Sequence, residues 1–191
     1  MNSYLKDYTF TDDWFTMHIP NWEKLLEEFR DEPHLRFLEI GTYDGRSCLW
    51  LLENILTDPT SMIVCIDPYP DRGEHREIFL RNVELSERSE QVVYVDEKSQ
   101  TALRHLLIDF DFIYIDGHHT TKAAFQDASL SRNILKRGGI IVFDNYQGNF
   151  DAVRRAVNYF IDIFGDEFEV EYLSRIVVGN YITGQVAARK R

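Results

Sequence analysis

Asp116, Asp144 and Asn145 are of the residue types that hold a hard cation. Asp116 follows an apolar run at 112–115, and Asp144 with Asn145 follows another at 140–143. Two carboxylates and an amide oxygen suit Mg²⁺, with Ca²⁺ and Mn²⁺ as alternatives. Acids at strand ends also cap helices, but three ligand types at two neighbouring strand ends favour a divalent metal site.

Two histidines, His118 and His119, come shortly after Asp116. An imidazole beside a metal-bound hydroxyl can take its proton near neutral pH. The alternative is a pair of surface histidines in a loop. We predict that one of the two is functional rather than both.

A second group of residues surrounds two glycines four residues apart, Gly41 and Gly45. An apolar run that contains Glu39 precedes them, and a helical pattern starts directly after them. Glycines at such a turn let the backbone approach a ligand closely. Because the Glu39 carboxylate would repel a bare phosphate, a ligand with hydroxyl and ammonium groups fits better.

Asp67 ends the next apolar run, where a carboxylate can accept hydrogen bonds from ribose hydroxyls. A surface-turn Asp before Pro68 is the alternative. A nicotinamide or flavin dinucleotide site requires G-x-G-x-x-G, and the two glycines at 41 and 45 give only part of that fingerprint.

The elements that position these residues alternate between strand and helix patterns. The strand patterns cover 35–40, 62–66, 91–95, 112–115 and 140–143. The helical patterns cover 46–56, 72–85, 99–108, 121–136 and 151–164. This alternation predicts a parallel sheet with helices on both faces. Two further strands, 167–172 and 175–181, are too close for a crossover and predict a C-terminal antiparallel hairpin, which makes seven strands in an α/β fold.

Composition limits the function classes. The chain has 191 residues, of which 44% are apolar, enough for one core and one domain. Its net charge of −11 disfavours nucleic acid as a partner, because a phosphate backbone requires clustered Lys and Arg. The basic cluster at 188–191 is interpreted as a solvated tail.

The cysteines and the apolar segments bear on location. Cys48 and Cys65 are expected to be free buried thiols, which indicates a reducing compartment. No segment approaches the roughly 20 apolar residues that span a bilayer, and the N-terminus has no signal-peptide pattern. We therefore expect a cytoplasmic location and no membrane partner.

Residues 1–33 follow a different pattern. Asn21 is predicted to cap a short helix. The apolar face of that helix consists of Trp22, Leu25, Leu26 and Phe29, and the aromatic cluster before it consists of Trp14, Phe15 and His18. Two interpretations stay open: a helix packed on the sheet edge, or a lid over the ligand site.

Three ordered motifs resemble those of class I S-adenosylmethionine-dependent methyltransferases over residues 35–146. They are E-I-G-x-x-x-G-x-S at 39–47, I-D-G-x-H at 115–119, and an L-x-x-G-G run that leads to an Asp at 135–144. The chain is similar to the subgroup that includes catechol-type and macrolide-sugar O-methyltransferases. The resemblance implies one Rossmann-like, doubly wound domain over 1–191, with a helical cap or lid at 1–33 and the core at 34–191.

The resemblance also implies roles for individual residues. The cofactor-binding set is Glu39, Gly41, Tyr43, Gly45, Ser47, Asp67, Ser99 and Asp116. The metal ligands are Asp116, Asp144 and Asn145, and the catalytic base is His119. In the sugar enzymes an acid stands at the position of Asn145.

The implied function is transfer of the S-adenosylmethionine methyl group to a hydroxyl of a small molecule, assisted by a divalent metal such as magnesium. A metal-independent methyltransferase and a non-catalytic module that binds the cofactor are the alternatives. The sequence leaves open a homo-oligomer and does not identify the methyl acceptor.

Overall fold

The structure is a computed structural model that describes residues 7–69, 73–147, 151–178 and 181–191. Three parts of the predicted elements lie outside these ranges: residues 1–6 of the N-terminal segment, residue 72 of the helix at 72–85, and residues 179–180 of the last strand.

Strands and helices alternate along the first four fifths of the chain. The parallel strands are β1 (Arg36–Ile40), β2 (Met62–Ile66), β3 (Val92–Val95), β4 (Phe110–Ile115) and β5 (Leu135–Phe143). The helices are α1 (Ile19–Leu25), α2 (Arg46–Asn54), α3 (Gly73–Leu85), α4 (Ser99–His105), α5 (Thr121–Ile134) and α6 (Asp151–Phe164). The last strands are β6 (Phe168–Tyr172), β7 (Ile176–Val178), β8 (Tyr181–Thr183) and β9 (Val186–Lys190).

The seven-stranded sheet has the order β3-β2-β1-β4-β5-β9-β6, which confirms the predicted fold class. Six strands run in one direction and β9 runs against them. The strand order reverses between β1 and β4, and ligands bind at such a switch point in open α/β sheets. Ile40 is in register with Ile66 and Ile115, and Ile115 with Phe143. The residues that follow these strands therefore share one sheet edge.

The strands are apolar on both faces because helices cover both. Phe37 and Phe112 are fully buried on one face, where α1 and α2 pack. Leu38 and Ile113 are fully buried on the other, where Phe160 of α6 joins them. Within the described ranges, no helix is long and apolar enough to cross a membrane.

The C-terminal pairing differs from the prediction. The partner of β6 is β9, which lies between β5 and β6, whereas β7 pairs with β8 in a separate two-stranded sheet. The solvated tail was therefore a wrong prediction. Ala187 and Ala188 are buried, and Lys190 Nζ donates to the carbonyl of Leu135 at 2.7 Å. This strand was not predicted, because its small apolar residues are followed directly by charged ones and do not form an apolar strand pattern.

The N-terminal helix also differs from the prediction, in the residue at which it begins. It begins at Ile19, so Asn21 lies inside it and is not its cap. Pro20 is suited to the first turn, because the missing N–H is not needed there. The Trp22 ring is fully buried and makes edge-on contacts with Phe112 and Tyr114, with centroids 5.4 and 4.8 Å apart. These contacts favour a helix packed on the sheet.

Candidate functional site

The segment 41–45, called the glycine loop below, connects β1 to α2. Gly41 has a φ of 86°, and a Cβ there would lie 2.0 Å from the Asp116 carbonyl oxygen. Its N–H donates to the Ile66 carbonyl at 2.9 Å. Only glycine can therefore let the loop lie directly against the end of β4.

Gly45 ends the loop and is the N-terminal cap of α2. Its φ is 84°, and a Cβ there would lie 2.6 Å from Cδ2 of Phe79. Its N–H donates to the Thr42 carbonyl at 2.9 Å, which closes a tight turn. The two glycines thus allow the sharp change from strand to helix that the spacing predicted.

Asp67, at the end of β2, stabilises the glycine loop. Its Oδ2 accepts from the backbone N–H of Thr42 at 3.0 Å and of Tyr43 at 3.2 Å, and its Oδ1 accepts from the N–H of Tyr69 at 3.0 Å. A carboxylate has about four lone-pair positions. Asp67 can therefore accept about one further hydrogen bond, such as one from a ribose hydroxyl.

Glu39 of β1 and Ser47 of α2 flank the loop and are hydrogen-bonded to each other. The Ser47 hydroxyl donates to Oε1 of Glu39, which is fully buried. Burial raises the pKa of Glu39 to about 8, and the charge of Asp116 adds to the rise. Both cysteines are free and buried as expected, with the Cys48 and Cys65 sulfurs 3.5 Å apart.

Tyr43 lies between aromatic rings from two other segments. It stacks on His75 of α3 with centroids 4.2 Å apart, and Trp14 lies 5.0 Å from it. Its hydroxyl donates to Oδ2 of Asp12 at 3.1 Å. The N-terminal segment therefore borders the glycine loop directly.

Ser99 begins α4 and donates to Oδ1 of Asp127 at 2.7 Å, as does the Gln100 amide. Asp127 is fully buried in α5, and burial raises its pKa to about 6. Among the described residues its Oδ2 has no hydrogen-bond partner. Sequence reasoning missed Asp127, although it shares a helix face with the buried Ala124 and Ala128.

Four side chains at the ends of β4 and β5 form what is called the acidic group below: Asp116, His119, Asp144 and Asn145. His119 Nε2 lies 3.2 Å from Asp116 Oδ1 and 3.2 Å from Asn145 Nδ2. This nitrogen lies between an acceptor and a donor, so it is placed to hold or release a proton. The structure thus brings together the four residues to which the family resemblance gives the metal-ligand and base roles.

Asp144 is the more buried of the two acids. Burial raises the pKa of Asp144 well above its usual range, and the charge of Asp116 raises it further. Asn145 Nδ2 lies 3.3 Å from Asp116 Oδ1 and 2.6 Å from Asp144 Oδ2. Asp116 Oδ1 and Asp144 Oδ2 are therefore closer to each other than roughly 7 Å, the separation beyond which one metal ion could not bind both oxygens.

The donor set of the acidic group fits a hard divalent cation. Within the described ranges, neither carboxylate has a Lys or Arg at ion-pair distance, and the basic side chains that lie near them are histidines. Of the described His, Cys, Asp and Glu side chains, only Glu39, Cys48 and Cys65 bring three ligand atoms within 4.8 Å of one another. The oxygen of Asn145 could supply a third protein ligand to a cation at Asp116 and Asp144 after rotation of that amide.

Residues far away in the sequence complete the site. Gln185 Nε2 donates to Asp144 Oδ1 at 2.7 Å. His18 Nε2 lies 3.8 Å from the same oxygen, and neither ring nitrogen of His18 has a hydrogen-bond partner among the described residues. Burial lowers the pKa of His18 to about 4. No local pattern marked Gln185, and His18 was assigned only to an aromatic cluster.

Comparison with known proteins agrees with this geometry. A family described as a methyltransferase domain matches residues 38–146, which is more than half of the chain. The chain belongs to this methyltransferase family. The resemblance to class I S-adenosylmethionine-dependent methyltransferases is confirmed.

Two curated relatives align with this chain. The uncharacterized protein R132 of Acanthamoeba polyphaga mimivirus is 26% identical over 75% of the chain and 65% of its own length. The catechol O-methyltransferase of Mycobacterium tuberculosis is 28% identical over 58% of the chain and 47% of its own length. The chain thus spans less than two thirds of either relative.

Solved structures share the fold of this chain. An O-methyltransferase from Bacillus cereus in complex with SAH has a TM-score of 0.72 at 18% identity, covering 96% of this chain and 85% of that one. The O-methyltransferase TomG from Streptomyces achromogenes, in complex with SAM, has a TM-score of 0.67 at 19% identity over 90% and 79%. An rRNA methylase from Streptococcus thermophilus has a TM-score of 0.71 at 10% identity over 95% and 99%.

Proposed function

We propose that the protein is an S-adenosylmethionine-dependent O-methyltransferase that acts on a small hydroxylated molecule with the help of a divalent metal. The observation that carries this proposal is the direct contact between two sites at one sheet edge. The backbone of Gly41, in the glycine loop, lies against Asp116 of the acidic group. A methyl donor at the loop and an acceptor at the acidic group would therefore be neighbours, which is what transfer requires.

The cofactor half of the site surrounds the glycine loop. S-adenosylmethionine would supply a methyl group on a sulfonium, and related structures contain SAM or SAH. The residues proposed to hold it are Glu39, Gly41, Tyr43, Gly45, Ser47, Asp67, Ser99 and Asp116. The remaining acceptor position of Asp67 and the absence of a side chain at Gly41 support this half.

The acceptor half is the acidic group. A divalent metal, magnesium in the first place, would be held by Asp116, Asp144 and Asn145 and would lower the pKa of an acceptor hydroxyl. Two buried or half-buried carboxylates without a described Lys or Arg partner support such an ion. His119, in contact with Asp116, is proposed to take the hydroxyl proton.

Two observations bear on the partners. The fold is shared with an rRNA methylase, so the fold alone does not choose between RNA and a small molecule. The net charge of −11 favours the small molecule, because RNA binding depends on basic side chains. A cytoplasmic location and a homo-oligomer stay expectations from the sequence.

Calorimetry tests the cofactor half. S-adenosylmethionine should bind and NAD should not. Asp67→Ala should weaken binding by about 1–3 kcal/mol, because it removes a charged acceptor and three loop hydrogen bonds. Asp151→Ala, an exposed acid at the start of α6, serves as the control. Tight NAD binding without S-adenosylmethionine binding would refute this half.

A methyl-transfer screen over small hydroxylated compounds tests the acceptor half. Chelator should remove turnover, and Mg²⁺ or Mn²⁺ should restore it in the wild type but not in Asp144→Ala. Turnover that resists chelator would support the metal-independent alternative. Cofactor binding without any turnover would support the non-catalytic module.

His119→Ala should lower the rate about 10²–10⁴-fold, the usual contribution of one general base. His105→Ala, an exposed histidine in the last turn of α4, is the matched control. Equal rates for the two variants would remove His119 from the mechanism.

A further inference from the structure

A buried hydrogen-bond relay connects the N-terminal helix to the acidic group. Trp22 Nε1 donates to Oε1 of Gln185 at 2.8 Å, and Gln185 Nε2 donates to Oδ1 of Asp144 at 2.7 Å. Trp22 and Gln185 are fully buried. The relay joins residues 163 positions apart in the sequence, on α1 and on the turn before β9.

The chemistry of the two ends sets the direction of the relay. An indole nitrogen can only donate, and an ionised carboxylate can only accept. The amide of Gln185 matches both ends in just one orientation, with its oxygen toward Trp22 and its nitrogen toward Asp144. In the opposite orientation two donors would face each other, and the amide oxygen would repel the carboxylate.

The relay also reaches the second acid. Gln185 Nε2 lies 3.5 Å from the Tyr114 hydroxyl, which lies 3.4 Å from Oδ2 of Asp116. The Trp22 ring is held by edge-on contacts with the sheet, so its N–H has a fixed direction. The N-terminal helix therefore bears on the geometry of both carboxylates.

We propose that Trp22 is a positioning residue for Asp144. Trp22 fixes the orientation of the Gln185 amide, and that amide holds the Asp144 carboxylate toward Asn145 and Asp116. The inference rests on the proposed function only in giving Asp144 a role as a metal ligand. It assigns to the N-terminal segment a contribution to the geometry of the site.

Trp22→Phe tests the relay, because it removes the indole N–H and keeps an aromatic ring. The chain offers a matched control in Trp50, which is also buried, with a ring centroid 6.0 Å from that of Trp22. The Trp50 indole nitrogen has no hydrogen-bond partner among the described residues. Trp50→Phe therefore makes the same change in packing without breaking the relay.

Binding of Mn²⁺, followed by electron paramagnetic resonance, is the first measurement. Trp22→Phe should weaken binding about 5–20-fold, the scale of one lost buried hydrogen bond, and Trp50→Phe less than about 2-fold. Gln185→Met should match Trp22→Phe, and the double variant should be no weaker than either single one, because both remove one relay.

The outcomes separate the two proposals. If Asp144→Ala abolishes Mn²⁺ binding but Trp22→Phe and Trp50→Phe behave alike, the relay inference is overturned and the proposed function stands. If the wild type binds no Mn²⁺, the metal part of the proposed function fails. The carboxyl ¹³C resonance of Asp144 then decides the inference: a shift in Trp22→Phe but not in Trp50→Phe supports it, and no shift overturns it.

Discussion

The glycine loop and the acidic group lie side by side, but they are held in different ways. Asp67, directly after β2, accepts two backbone N–H groups of the loop, and the N-terminal segment adds hydrogen bonds from Thr11 to Asp44 at 2.7 Å. Asp144 of the acidic group is held by Gln185, which Trp22 holds in turn. The described hydrogen-bond partners of the loop thus lie at most 38 positions away in the sequence, whereas the relay that holds Asp144 joins residues 163 positions apart.

Asp67 beside the loop and His18 beside the acidic group differ in how completely their polar atoms are satisfied. The Asp67 carboxylate has three backbone donors, whereas His18 lies beside Asp144 with both ring nitrogens unpartnered in the described structure. A buried polar group without a partner reduces stability, so an apolar side chain should be tolerated at His18. At Asp67 an apolar side chain would lose three hydrogen bonds to backbone N–H groups.

The largest effect is expected at the loop. Gly41→Ala should lower the free energy of unfolding by about 3–5 kcal/mol, because it combines a left-handed conformation with a clash against the Asp116 carbonyl. Gly138→Ala is the control: φ is 79° there, but the added Cβ meets nothing within 4 Å. It should cost only about 1–2 kcal/mol. If urea unfolding gave similar losses of stability for Gly41→Ala and Gly138→Ala, the clash at Gly41 would be relieved by movement of the loop.

A smaller effect is expected at Asp127, the buried acid beside Ser99. Its folded pKa of about 6 lies above the usual 3.8, so the folded protein keeps a proton that the unfolded chain releases. Stability should therefore fall as the pH rises from about 4 to 6, by about 2–3 kcal/mol in all. Asp127→Asn should remove that part of the pH dependence in urea unfolding. An unchanged pH dependence in the variant would place the titration elsewhere.

The smallest effect concerns His18. His18→Leu should raise the free energy of unfolding at pH 7 by about 1 kcal/mol, because an apolar side chain of similar size removes two buried, unpartnered nitrogens. Phe15→Leu, a change in the same packed segment without a polar atom, should lower it. If His18→Leu instead lost stability, the imidazole would have a hydrogen-bond partner in solution, and the contrast between the two regions would weaken.

The sequence predicted those parts of the fold that rest on local patterns. The bounds of β2 and α6 are as predicted, because the apolar run of β2 ends at Asp67 and the helical face of α6 ends at Gly165. The strand β9 was missed, since buried alanines beside Arg189 and Lys190 do not form an apolar pattern. Its place between β5 and β6 depends on long-range pairing.

The same distinction applies to the site. The motifs at 39–47, 115–119 and 135–144 identified the loop and Asp116, His119 and Asp144 of the acidic group, because each motif is continuous in sequence. Gln185 and Trp22 could not be found in that way. Their roles depend on an amide orientation that exists only once α1 and the turn before β9 have packed against the sheet.

The contact between Gly41 and the Asp116 carbonyl has a thermodynamic consequence. It joins the two regions through backbone atoms, with no side chain between them that could move to absorb a displacement. Because the two regions are in backbone contact, we expect a ligand that shifts the loop to change the binding free energy of a second ligand at Asp116. By linkage, the reverse effect has the same factor, so affinities at the two regions should rise or fall together in titrations performed in either order.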